Sequence, residues 1–325
     1  MILAKARTLL LGLLGQFLVL PGAIAAPLTI AIAELTAYST ALIADDQGYF
    51  AAEGLDIKVI RCVNGKRCLK HLTDGEAQYA TVADTPIMLA ALGGARFDIL
   101  ATTGITSREN RFLARADRGI ASAADLKGKR IGVIKGTSAH YFTDTVLLFN
   151  GIGTQQVTLV PIEGGDAAAA LIRGDVDAAG LYNPVWQKVQ SALGKQIVTI
   201  TNPNVFTMTT NLVGINRAAG GKESDAVKLL RALQRADRLI DSEPSRARGI
   251  VAARLKLPAS ELDATWKDYD FSLSLAQPLI GSLEAQTRWA LRENLVPGAK
   301  MPDFLDYVDP APLRAIDARA VNIIK

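Results

Sequence analysis

The chain repeats itself. Displaced by 99 residues, Gly54 falls on Gly153, Gly65 on Gly164, Leu72 on Leu171, Gly75 on Gly174 and Ala80 on Ala179. The chemistry around these identities matches as well. Asp74-Gly75-Glu76-Ala77-Gln78 and Arg173-Gly174-Asp175-Val176-Asp177 each close a helical pattern and open an apolar run. Each run then meets a polar residue beside a proline, Asp84-Thr85-Pro86 in one copy and Asn183-Pro184 in the other. Self-similarity at a fixed period marks a duplicated structural unit. Glycines recur easily at helix ends, but here the whole order of elements recurs, so two similar lobes are expected.

The order itself is strand alternating with helix. Short apolar runs at 28–33, 56–61, 79–82, 98–103, 130–134, 157–160 and 178–181 read as buried parallel strands. Helical patterns lie between them at 38–47, 68–74, 139–150, 167–173 and 185–193. After Thr201 the texture changes to long helical patterns at 224–241, 244–255, 259–266, 276–294 and 312–321. Alternation of this kind predicts an α/β protein with mostly parallel sheets flanked by helices.

The first 25 residues read as an export signal rather than as part of the fold. Lys5 and Arg7 precede a mostly apolar stretch from Leu9 to Leu20, which Pro21-Gly22 break. Ala23-Ile24-Ala25 has the small-x-small pattern of a cleavage site. The apolar stretch is shorter than the roughly 20 residues that a spanning helix needs. A cleaved signal places the mature chain in the periplasm; an uncleaved anchor is the other reading. Removing Lys5 and Arg7 takes the 36 Lys and Arg down to 34, against 32 Asp and Glu. No Lys/Arg run reaches five, so nothing points to nucleic acid.

Two cysteines and two histidines exclude a disulfide-rich scaffold, a four-Cys zinc site and a three-His metal centre. No cofactor is expected. In an oxidising compartment Cys62 and Cys68, six apart, read as a short disulfide across Asn64-Gly65. Two buried free thiols are the alternative. Catalytic signatures are missing. There is no G-x-S-x-G elbow, Lys135-Gly136-Thr137-Ser138 inverts the order of a phosphate loop, and no G-x-G-x-x-G opens a helix. The chain is therefore read as a non-enzyme.

Two α/β lobes suggest a clamp. Ligands bind at the carboxyl ends of parallel strands, where helix N-termini present backbone N–H groups. The first lobe offers Thr36, Tyr38, Ser39, Asp84 and Thr85 at such turns. The second offers Gly136, Thr137, Ser138, His140, Tyr182 and Asn183. Any one of these could be a plain helix cap; their recurrence at matching places in both copies makes them the candidate ligand-binding set. An anionic or strongly polar group is expected at the helix start after Gly136.

An ordered set of motifs then carries a resemblance: Gly48-Tyr49-Phe50-Ala51-Ala52-Glu53-Gly54-Leu55-Asp56, Ala83-Asp84-Thr85-Pro86, Asp125-Leu126-Lys127-Gly128-Lys129-Arg130-Ile131-Gly132-Val133, Lys135-Gly136-Thr137-Ser138, Arg173-Gly174-Asp175-Val176-Asp177-Ala178 and Tyr182-Asn183-Pro184. Over residues 28 to 215 the chain resembles the periplasmic solute-binding proteins of ABC importers in the nitrate, sulfonate and taurine group, which includes binders of thiamine pyrimidine precursors. The resemblance implies a type II periplasmic binding protein fold. It divides the chain into a signal peptide at 1–25, a first lobe at 26–116 plus 211–325, and a second lobe at 117–210. It places crossings near 111–115 and 206–215, and implies a monomer that delivers a small, often anionic solute to a permease and its ATPase. A sensor receptor is the alternative partner, and an enzyme on the same fold is the lesser alternative. Relatives often carry an aromatic, an acid and proline where Tyr182-Asn183-Pro184 stands, and Asn183 supplies no negative charge there.

Overall fold

A computed structural model describes residues 27–200, 205–215 and 224–324. The expected signal segment lies outside the described residues. In chain order the first elements are β1 (Leu28–Ala33), α1 (Ser39–Asp46), α2 (Tyr49–Ala52), β2 (Ile57–Cys62), α3 (Gly65–Thr73), β3 (Tyr79–Ala83), α4 (Asp84–Leu92) and β4 (Asp98–Thr106). Then come β5 (Asn110–Arg115), β6 (Arg130–Val133), α5 (Ser138–Phe149), β7 (Thr158–Pro161), α6 (Ala167–Arg173), β8 (Ala178–Tyr182), α7 (Val185–Leu193) and β9 (Ile197–Ile200). The rest is β10 (Met208–Gly214), α8 (Asp225–Ser242), α9 (Pro244–Leu255), α10 (Ala259–Thr265), β11 (Leu275–Ala276), α11 (Gln277–Arg292), α12 (Ala311–Ile316) and β12 (Val321–Asn322).

Two five-stranded sheets carry the fold, ordered β2-β1-β3-β10-β4 and β7-β6-β8-β5-β9. The duplication is visible in their register. Tyr79 and Ala80 pair in parallel with Ile30 and Ala31, and their counterparts Ala178 and Ala179 pair in parallel with Ile131 and Gly132. Gly75 and Gly174 end α3 and α6 with φ of 79° and 81°. Only glycine enters that left-handed conformation without steric cost, which is why both survive the displacement by 99.

One strand of each sheet runs against the rest. β10 lies antiparallel between β3 and β4, and β5 lies antiparallel between β8 and β9. The sheet pairing corrects the expected boundaries. Residues 110–115, assigned from the sequence to the first lobe, hydrogen-bond within the second sheet. β10 begins at Met208, so residues 208–210, assigned to the second lobe, belong to the first sheet. Residues 107–109 link the first sheet to the second, and the chain re-enters the first sheet at β10.

The helical tail packs mainly on the first sheet's side. α8 lies against α1 and α2, and α11 against α4. The amphipathic α8 starts at Ser224, whose hydroxyl accepts from Val227 N at 3.4 Å, and buries Leu229, Leu230, Leu233 and Ala236. The tail also reaches the second lobe: Gln187 Nε2 on α7 donates to Glu261 O at 3.1 Å, and Trp289 on α11 meets α5. The last expected helix is shorter than its pattern. α12 ends at Ile316, and Val321–Asn322 instead pair with β11. No described helix is long and apolar enough to cross a membrane.

Candidate functional site

The β-to-α turns of both lobes converge on one small cavity of ≈ 20 Å³, lined among others by Tyr38, Asn64, Lys66, Glu109, Ser138 and Tyr182. That is room for about one water molecule. The lobes are closed against each other at its rim. Lys66 Nζ donates to Lys135 O at 2.7 Å, Asn64 Nδ2 to Tyr182 Oη at 3.5 Å, and Arg67 lies 3.3 Å from Glu163.

Two repeat glycines shape the wall. A Cβ on Gly65 would sit 2.5 Å from Tyr38 Oη, and one on Gly164 would sit 2.5 Å from Tyr182 Oη. The identity at a spacing of 99 thus preserves space for a tyrosine hydroxyl in each lobe. Gly65 opens α3, which Asn64 caps by accepting from Arg67 N at 3.0 Å. The Cys62–Cys68 disulfide ties the end of β2 to this helix, with Cα atoms 5.6 Å apart. It fixes the loop that carries Asn64, Gly65 and Lys66.

Opposite stands the start of α5. Thr137 is its extended N-cap residue, and its hydroxyl donates to Ile134 O at 2.7 Å, tightening the turn. Ser138 opens the helix and lines the cavity. First-turn N–H groups have no intrahelical acceptor and carry the positive end of the helix dipole. Gly136, at φ 74°, turns the chain into this helix, and its N–H donates to His140 Nδ1 at 3.3 Å. Burial, together with Lys135 and Lys66, holds His140 down at about 4, so the ring is neutral at pH 7.

Glu109 is the one carboxyl lining the cavity and is 2% exposed. Tyr269 Oη donates to its Oε2 at 2.6 Å. Burial pushes its pKa up to about 8, which leaves the carboxyl protonated at neutral pH. Lys66 is exposed, and partial desolvation lowers its pKa. The arrangement therefore offers an ammonium, two phenol hydroxyls, a serine hydroxyl and a helix N-terminus, with no charged acid among them. Chemically such a set suits an anion or a polar acceptor. Among the described residues no group of three or more His, Cys, Asp or Glu could hold a metal ion.

Residues 36–247 match the family described as NMT1/THI5 like. The chain belongs to the NMT1/THI5-like family. A Brucella abortus chain named as a binding protein is 23% identical over 240 residues, 73% of this chain and 74% of its own length. The taurine-binding periplasmic protein of Escherichia coli is 26% identical over 174 residues, 53% of this chain and 52% of its own. The alkanesulfonate-binding protein of Xanthomonas axonopodis pv. citri, solved with MOPS, aligns with a TM-score of 0.77 at 22% identity, covering 88% of this chain and 99% of that one. The NMT1/THI5-like chain thus has the two-lobed periplasmic binding protein fold that its motifs imply.

Of the residues singled out in the sequence, Tyr38, Thr137, Ser138 and Tyr182 line the cavity, while Gly136 and His140 line an adjoining groove. The other five do not line the cavity. Ser39 Oγ donates to Thr36 O at 2.6 Å, while Thr36 Oγ1 is buried without a partner. Asp84 accepts from Thr85 N at 2.8 Å and Thr209 N at 3.3 Å, binding α4 to β10. Thr85 Oγ1 donates to Gln286 Oε1 at 2.6 Å on α11. Asn183 Nδ2 donates to Tyr269 Oη at 3.0 Å, within the group that holds Glu109. Sequence reasoning missed Asn64, Lys66 and Glu109. The first two were within reach, because the 99-residue displacement lays the turn at Gly65 on the turn at Gly164.

Proposed function

We propose that this protein is a periplasmic solute-binding protein that captures a small organic anion of the sulfonate class between its lobes and delivers it to the permease and ATPase of an ABC importer. The observation that carries the reading is the cavity between the lobes, where the N-terminus of α5 and Lys66 face a carboxyl kept neutral by burial. An acid that is uncharged at pH 7 donates to a sulfonate instead of repelling it. The relatives' named ligands, taurine and alkanesulfonates, agree with that chemistry.

Capture requires motion, since the closed cavity holds about one water. The lobes part about the link 107–109 and the stretch before β10, breaking the rim contacts of Lys66, Asn64 and Arg67. The protein acts as a monomer, and its N-terminal segment is removed on export.

The reading is tested by calorimetry and melting curves on the mature protein with ethanesulfonate, taurine, nitrate and acetate. A sulfonate at about 100 times its Kd adds about 2.7 kcal/mol of stability and raises the melting temperature. A panel in which neither sulfonate binds rejects it.

A further inference from the structure

A much larger concave feature lies beside the cavity. It is a groove of ≈ 620 Å³ between α3, α4, the turn before α5 and the segment after α11. Its volume falls in the range of small-molecule sites, whereas the central cavity's does not. Lys66 and Pro86 line both, so the two adjoin.

The groove has two poles. Around Gly136 stand Lys66 and Lys135, and no Asp or Glu is part of the lining. A third lysine, Lys70, is neutralised by Asp74 at 2.7 Å, but among the described residues no carboxylate pairs with Lys66 or Lys135. A Cβ on Gly136 would lie 3.2 Å from Lys66 Nζ, so glycine brings this ammonium against the backbone. Away from that end the walls are apolar: Leu69, Leu89, Ala90 and Leu295. Leu89, Ala90 and Leu295 are only partly buried, so they offer apolar surface that a ligand could cover.

Resting on the proposed capture of an organic anion, we propose that the groove is a second part of the binding site, which takes the body of an anion bearing an extended apolar chain or ring. The anionic group sits by Lys66 and Lys135, at the junction with the cavity, and the body lies along Leu69, Leu89 and Leu295. Charge complementarity selects the occupant. A neutral apolar molecule leaves both ammonium groups without an anionic partner in the groove, and a short anion leaves the apolar wall in water.

The test is calorimetry on the mature protein with ethanesulfonate, octanesulfonate below its micelle concentration, and octanol. Octanesulfonate is expected to bind at least thirtyfold tighter than ethanesulfonate, and octanol not measurably. Leu89→Glu and, independently, Leu295→Glu should each erase most of that gain while changing ethanesulfonate affinity less than threefold. Ethanesulfonate binding also reports that each variant is folded. Equal affinity for the two sulfonates, a gain that survives both substitutions, or octanol binding as tightly as octanesulfonate overturns the proposal and leaves the capture of short sulfonates standing. Failure of both sulfonates to bind overturns the function proposed above and the groove with it.

Discussion

Trp289 Nε1 donates to Asp144 Oδ2 at 3.0 Å, joining a helix packed on the first lobe to the helix that opens the cavity wall of the second. The indole also stacks edge-on against His140 and Tyr141, with centroids 5.0 Å and 5.1 Å away. Asp144 Oδ1 has no partner, and burial raises the carboxyl to about 6. The indole N–H, with Arg292 acting from farther off, therefore stabilises this carboxylate when the lobes are closed.

Trp289→Phe keeps the ring and removes the donor. Losing a hydrogen bond to a buried charged group costs about 1.5–3 kcal/mol. The closed form should lose that stabilisation, so solute affinity falls by roughly tenfold or more although Trp289 does not line the cavity. Small-angle scattering should show a larger radius of gyration at subsaturating solute. An affinity equal to that of the parent would show that this bond does not hold the lobes together.

Ser138 and Thr137 should separate binding from folding. Ser138 lines the cavity, so Ser138→Ala should weaken sulfonate binding by about ten- to hundredfold with little change in melting temperature. Thr137 Oγ1 is committed to Ile134 O, and Thr137→Val should lower stability by about 1 kcal/mol. Calorimetry beside melting curves checks both; the reverse pattern would give Ser138 a purely structural role.

The disulfide closes a short loop. Cys62→Ser with Cys68→Ser should cost about 2 kcal/mol by loop entropy, read as a lower urea midpoint that adding reductant to the parent reproduces. Binding should weaken as well, because the loop carries Asn64 and Lys66 into the cavity.

Stability should fall as pH rises from about 6 to 8. Burial raises Glu109 to about 8 and Asp84 and Asp237 to about 7. Unfolded carboxyls titrate near 4, so between those values the native state binds more protons, and its advantage disappears as pH passes through the folded pKa values. His140 acts oppositely. Held at about 4, it adds stability as pH rises toward 6.5, which is complete before the carboxyls have finished titrating. Melting temperatures at pH 6 and 8.5 check the direction, and Glu109→Gln should shrink the difference. A midpoint that rises over this range would contradict the burial of these protonated acids.

The repeat made the architecture legible because it lies in local features: glycines that end helices and apolar runs that become central strands. Strand exchange was not legible. Asn110–Arg115 and Met208–Gly214 read as extended from their own residues, but which sheet each joins depends on partners far away in sequence. The site divides the same way. Gly136-Thr137-Ser138 could be read because a strand, a glycine and two hydroxyls before a helix specify a turn. The roles of Asp84 and Thr85 depend on Ser282 and Gln286, about 200 residues on, and a first-turn carboxyl or hydroxyl serves a neighbouring helix as readily as a cleft. Glu109 is a single acid in a three-residue link, and only the packing of Tyr269 and Asn183 around that link marks it out.

Because β10 lies between β3 and β4, the first sheet stays in two pieces until residue 214 has been made. The second sheet has all its strands by Ile200. A chain that emerges from its N-terminus therefore has its second lobe complete first, while the first lobe waits with an unfilled slot in its middle. Nascent chains cut off just after residue 200 should protect the second lobe from protease and leave the first hundred residues digestible.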